Sequence, residues 1–93
     1  AQACGTRIIG SNWAATPDLI SEDSWLVDGQ LSWDAGQDAW WMTPNVGSLV
    51  NALEESYKAE RGPSQVAIDF ASQFDVEKVW ENSWMPILRK LLK

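Results

Sequence analysis

The 93-residue, 10.4 kDa chain carries 13 acidic and 7 basic residues, for a formal charge of −6 and a sequence pI near 4.3. That balance argues against a protein built to neutralise nucleic-acid phosphates. It has no histidine and one cysteine, Cys4, which removes the commonest general base, the commonest zinc ligand, any internal disulfide and any multi-cysteine metal site. At 45 % hydrophobic and 22 % charged residues, the composition is that of one globular domain near the small end of what folds alone. Its surplus is tryptophan, at positions 13, 25, 33, 40, 41, 80 and 84.

Reading from the N-terminus, Ala1 to Cys4 has the character of a last helical turn, and Gly5 hands it over to a β-branched strand around Thr6-Arg7-Ile8-Ile9-Gly10. Thr16-Pro17-Asp18-Leu19-Ile20 reads as one helical turn with Thr16 as N-cap and Pro17 in first position. Trp25-Leu26-Val27 is a second strand, stopped by Asp28-Gly29. Both strands are apolar throughout, which suits a sheet covered on both faces. Gln30 to Pro44 shows no convincing period and predicts a structured loop or a short irregular helix around Gln37 to Met42.

The second half has helical periodicity. Leu49, Val50, Leu53 and Tyr57 share one face of a helix starting at Asn45, which Gly62-Pro63 ends. A second helix opens at Pro63 or Ser64 and carries Ala67, Phe70, Ala71 and Phe74 on one stripe. Asp75 caps a third, whose apolar line is Val76, Val79, Trp80, Trp84, Ile87, Leu88 and Leu91, with a kink or break predicted near Met85 because Pro86 lies within it. The fold class is therefore α/β, with two short parallel strands followed by three to four helices. It forms one partial domain over 1–93, divided into a strand-turn-strand part (1–29), a Trp-rich loop (30–44) and a helical part (45–93).

Charge is uneven along the chain. Residues 1–44 hold Arg7 against six acids, and residues 45–93 hold six bases against seven acids. The acids Asp18, Glu22, Asp23, Asp28, Asp34 and Asp38 form no calcium loop or carboxylate dyad and read as solvated loop charges. Cys4 lacks a histidine to activate it and reads as buried packing. Trp33, Trp40 and Trp41, interleaved with Asp34, Gln37 and Asp38, are the candidate site: flat aromatics stack on sugar rings while amides and carboxylates take hydroxyls. Packing of a long loop competes with that reading. No apolar run approaches the ~20 residues that span a bilayer, no basic-then-apolar leader is visible, and the lone cysteine leaves the reducing cytoplasm as the default location.

A resemblance extends this reading. Ala1-Gln2-Ala3-Cys4-Gly5-Thr6-Arg7-Ile8-Ile9-Gly10-Ser11 resembles the A-x-A-C-G-T-P-V-I-x-S run that follows the E-x7-E motif in the large group-one family of retaining glycosyltransferases with the GT-B fold. Thr16-Pro17-Asp18-Leu19-Ile20 is similar to that family's G-x-P-E-L-I turn, and Trp25-Leu26-Val27 to its G-x-L-V strand. Asn45 to Glu55 resembles the helix that comes after, and Phe74 to Trp80 the F-x-x-x-x-x-W ending.

The resemblance implies a partial Rossmann-like, GT-B donor-domain fragment of a nucleotide-sugar-dependent enzyme. The catalytic Glu pair, the diphosphate-contacting Gly loop and an N-terminal acceptor domain would lie upstream. No catalytic, cofactor-binding or metal position carries over onto this chain; the nucleotide-sugar donor is implied for the parent enzyme alone. The sequence departs from the family at Arg7, where Pro is usual and no partner for the charge is evident, at Trp13-Ala14-Ala15, in place of a Gly-Gly pair, and in the length of the Trp-rich stretch.

Two functions are expected on these grounds: framework of a donor domain, inactive alone, or a small carbohydrate- or protein-binding module using the Trp-rich loop. In the first case the helix face of Trp80, Trp84 and Leu88 meets the missing N-terminal domain, or a second copy of the chain when that domain is absent. Nucleic acid is not an expected partner.

Overall fold

The computed structural model describes all residues, Ala1–Lys93. A 3-10 turn at Gln2–Cys4 ends on Gly5, whose φ of 87° is the left-handed conformation that closes such a turn. Strand β1 (Ile9–Ser11), a second 3-10 turn (Thr16–Leu19) and strand β2 (Trp25–Val27) follow. The two strands pair in parallel, Ile9 opposite Trp25 and Ser11 opposite Val27. The molecule is thus mixed α/β, with the expected strand-turn-strand order.

Pairing is shorter than the β-branched run suggests, covering only Ile9–Ser11. Upstream, the Ile8 N–H is taken by the Ser24 hydroxyl rather than by a strand partner. Thr16 is not an N-cap. Ala15 holds that position without a side-chain bond, because the chain already turns through Ala14, at φ 53°.

The largest departure lies at residues 30–44. They form no loop or irregular helix but a β-hairpin, β3 (Gly29–Asp34) and β4 (Ala39–Pro44), paired antiparallel from Gly29 opposite Pro44 to Asp34 opposite Ala39. Strand β2 ends before Asp28, as expected, but Gly29 at once opens the first strand of a separate antiparallel sheet. At the tip, Asp34 Oδ1 accepts from the Gly36 N–H at 2.8 Å and Asp38 adopts φ 52°, a tight closure of the kind that short polar side chains support. The Trp40-Trp41-Met42 run hides the alternation by which a half-buried strand is read from sequence.

The helices begin where polar caps stand. Asn45 Oδ1 accepts from the N–H groups of Gly47 and Ser48 at the start of α1 (Val46–Lys58), and the Ser64 hydroxyl accepts from Ala67 at the start of α2 (Gln65–Ser72). Asp75 caps α3 (Val76–Val79), which runs through a π-helical segment (Trp80–Trp84) into α4 (Met85–Leu91). Pro86 does not break this rod. An α-helical proline would clash with the carbonyl four residues back. Here the Met85 N–H instead reaches the Trp80 carbonyl, and this wider turn makes room for the ring.

The N-terminal turn and α2 are fastened together. The Gly5 carbonyl accepts from the Ser64 N–H at 2.9 Å, and a Cβ on Gly5 would come within 2.7 Å of Pro63 Cβ. Gln2 spans to the second 3-10 turn, donating to the Leu19 carbonyl and accepting from Ser21 N–H. On the other side α1 packs on β2, and the Asp28 backbone bonds both Asn45 N–H and Ser48 Oγ.

Little is buried beyond these joints. The apolar core is Val27, Ala52 and Ala67, with Ser21 and Ser64 as its buried polar members. The two apolar strands are not covered on both faces, since Leu26 is exposed beside buried Val27. The Leu49, Val50, Leu53 and Tyr57 face of α1 is likewise uncovered. The rod of residues 76–91 packs against no other element beyond marginal contact, leaving Trp80, Trp84 and Ile87 exposed. The chain is a slab of 54 × 42 × 15 Å with a radius of gyration of 17.3 Å, against about 12 Å for a compact domain of this length.

Candidate functional site

Both parallel strands end at the same edge, and the segments that leave them converge. After β1, Asn12 donates its N–H to the Val27 carbonyl at 2.9 Å and its Nδ2 to Asp28 Oδ1 at 3.0 Å. The next residue, Trp13, reaches the hairpin, with Nε1 donating to the Trp40 carbonyl at 3.4 Å. Between them lies an open groove of about 340 Å³, lined by Ser11, Trp13 and Ala14 from the first segment and by Trp40, Trp41 and Met42 from β4, with Thr16 at its side.

Of the three tryptophans picked out in the sequence, the structure brings two into this groove. Trp33 lies outside it, paired across the hairpin with Trp40 at a ring-centroid distance of 5.4 Å and an interplanar angle of 69°. That edge-to-face geometry suits the ring quadrupoles. Trp13 takes the third place, a residue that sequence reasoning noticed only as bulk in place of a Gly-Gly pair. Its relation to β4 depends on a hairpin that the sequence pattern did not reveal. Asp34, Gln37 and Asp38 sit in or beside the hairpin tip, away from the groove lining.

The second constellation is Asp23, which is no solvated loop charge. Its carboxylate accepts from the Ser64 hydroxyl, from Ser21 Oγ at 2.7 Å and from Arg7 Nε at 3.0 Å. Arg7, without an evident partner in the sequence, also donates Nη1 to the Glu60 carbonyl at 2.8 Å. The Ser64 and Ser21 hydroxyls, and then Arg7, hold the Asp23 carboxyl down at about 2 against the opposing effect of burial. With both serine hydroxyls committed as donors and no histidine in the chain, this cluster offers no activated nucleophile; it ties three segments together. The expected burial of Cys4 is also not met, for the thiol is exposed.

A wider cleft of about 540 Å³ lies between the second 3-10 turn and α2. Its carboxylates are Glu22 and Asp69, the latter already taken by Gln65 Nε2 at 2.8 Å. No group of three or more His, Cys, Asp or Glu side chains is placed to hold a metal ion. No helix is long and apolar enough to cross a membrane.

Comparison with known protein families, with curated proteins and with solved structures yields no match to this chain. The protein is of the mixed α/β class, with one parallel and one antiparallel strand pair and three helical stretches.

Proposed function

We propose that this chain is framework of the donor-binding domain of a retaining, nucleotide-sugar-dependent glycosyltransferase of the GT-B fold, contributing no catalytic group itself. The observation that carries the reading is the parallel pair of β1 and β2. Parallel strands occur almost only in sheets with further strands beside them and helices over both faces. Two three-residue strands with one helix against them are a section of such a sheet. The uncovered faces of α1 and of residues 76–91 agree, since each has the apolar stripe of an element that packs on something. The sequence resemblance from Ala1 to Ser11 supplies the family.

Under this reading the face of Trp80, Trp84 and Leu88 is covered by the acceptor-binding domain of the parent protein, or by a second copy when the chain stands alone. The parent enzyme binds the nucleotide-sugar donor and works in the cytoplasm. The test is the coding sequence upstream of Ala1. An open frame passing through an E-x7-E motif is the expected result, and an initiator codon directly before Ala1 overturns the proposal. Calorimetric titration of the chain alone with nucleotide sugars is expected to show no heat of binding.

A further inference from the structure

We propose that the groove between the segment after β1 and strand β4 is a binding site for an uncharged sugar ring, laid against tryptophan. The inference stands on the groove itself and does not depend on the chain belonging to a transferase.

Its position is the first argument. Ligands of open α/β sheets collect outside the carboxyl ends of the strands, and the groove opens where β1 ends at Ser11 and where the chain leaving β2 becomes the hairpin. The second argument is preorganisation. Trp13 is tied to β4 through its Nε1–H, and Asn12 is tied to both Val27 and Asp28. Ala14 is held at φ 53°, a left-handed conformation unusual for a residue with a Cβ and typical of ligand-contacting segments.

Lining and charge then select the ligand. Trp41 remains 49 % exposed, so its ring is offered to solvent rather than consumed in a core, while the ring of Trp40, on the opposite face of the strand, is engaged by Trp33. Ser11 and Thr16 add hydroxyls that make no bond within the chain, able to donate to and accept from the hydroxyls of a sugar. No lysine or arginine lines the groove or occurs from Ile8 to Tyr57, while Asp28 stands beside it, bonded to Asn12. A phosphate or nucleoside diphosphate would meet net negative potential with no neutralising cation. No carboxylate lines the groove itself, so a cationic ligand would find no counter-charge there. At about 340 Å³ the groove falls at the small end of ligand pockets, which span roughly 300–1,000 Å³.

The experiment is a titration of the chain's intrinsic tryptophan fluorescence with neutral tetrasaccharides (cello-, malto-, manno- and chitotetraose), with UDP and choline as charged probes. A saturable change with at least one tetrasaccharide, and none with UDP or choline, is the expected result. Trp41→Ala and Trp13→Ala should each weaken that binding roughly tenfold or more, the loss of one aromatic contact. Trp84→Ala, on the remote rod, should leave it unchanged. Because Trp13→Ala also removes a tie to the hairpin, Trp13→Phe provides a second reading: it keeps a flat ring without the Nε1–H donor and should bind with intermediate affinity. A flat response to the whole tetrasaccharide panel, by a chain whose circular dichroism shows it folded, overturns the proposal. So does saturation by choline or UDP instead of sugar, or an equal loss in Trp84→Ala. Failure here leaves the framework reading standing, since that is decided by the upstream sequence.

Discussion

Asp23 shows how much of this small molecule rests on single polar side chains. Three segments distant in sequence meet at its carboxylate: Arg7 before β1, Ser21 after the second 3-10 turn, and Ser64 at the head of α2. The folded carboxyl lies near 2 against an ordinary 3.8, so its stabilising contribution is complete above the ordinary value and is lost as the pH falls through about 2. Thermal melts from pH 7 down to pH 2 should therefore show a decline between about pH 4 and pH 2 that Asp23→Asn removes, lowering the stability at pH 7 instead. An unchanged pH profile in that variant would dissociate the cluster from stability. Ser64 has two roles, N-cap and donor to Asp23. Ser64→Ala is expected to cost about 1–2 kcal/mol in urea unfolding, near the top of the range for a lost cap. Gly5→Ala should destabilise by about 1–2 kcal/mol or more from the left-handed backbone alone, with the contact against Pro63 adding to it.

At the scale of elements, the hairpin and the terminal rod each turn on one local solution. The hairpin leaves β2 through Gly29, where any Cβ would overlap the Thr43 carbonyl. Gly29→Ala is thus expected to open the base of the hairpin. The Trp33–Trp40 pair reports it, as the exciton couplet of two edge-on indoles in the far-UV circular dichroism should weaken. A couplet of undiminished size would show that the base tolerates a side chain. In the rod, proline sits within an apolar line that reads as helical, and the π-helical turn of Trp80–Trp84 absorbs it. Pro86→Ala restores a backbone donor, and the expected outcome is relaxation to an α-helical register with slower amide exchange around Met85. Unaltered exchange there would assign the π turn to a cause other than the proline.

At the scale of the whole molecule, the accessible surface of 7283 Å² exceeds the roughly 5,400 Å² usual for a folded monomer of this mass. Uncovered apolar faces on the hairpin, on α1 and on residues 76–91 contribute to it, and on the last of these Trp80 and Trp84 stand beside Phe74 and Val76 along a groove of about 530 Å³. Exposed patches of this kind are covered in working proteins. Light scattering on the isolated chain should accordingly show a mass that rises with concentration, and Trp84→Glu should return it towards the monomer. A clean monomer at high concentration would remove the argument that this face seeks a partner.

What the amino-acid sequence determined by itself was local. The helix starts at Asn45, Ser64 and Asp75, the strand Trp25–Val27, the turn closed by Gly5 and the apolar stripes all follow from caps, periodicity and backbone freedom, which act over a few residues. The two strands read as neighbours in a parallel sheet, and they are. Tertiary structure alone decided what depends on residues far apart. It paired residues 29–34 with 39–44 and so made a hairpin of a stretch whose tryptophan run masks alternation. It gave Arg7 its carboxylate sixteen residues away, gathered two serine hydroxyls on Asp23 and brought Trp13 to β4 as a wall of the groove, with Trp33 left outside it. Those contacts form because backbone donors and charged groups must find partners wherever the chain brings them together, and a one-dimensional pattern holds no record of which partner that will be.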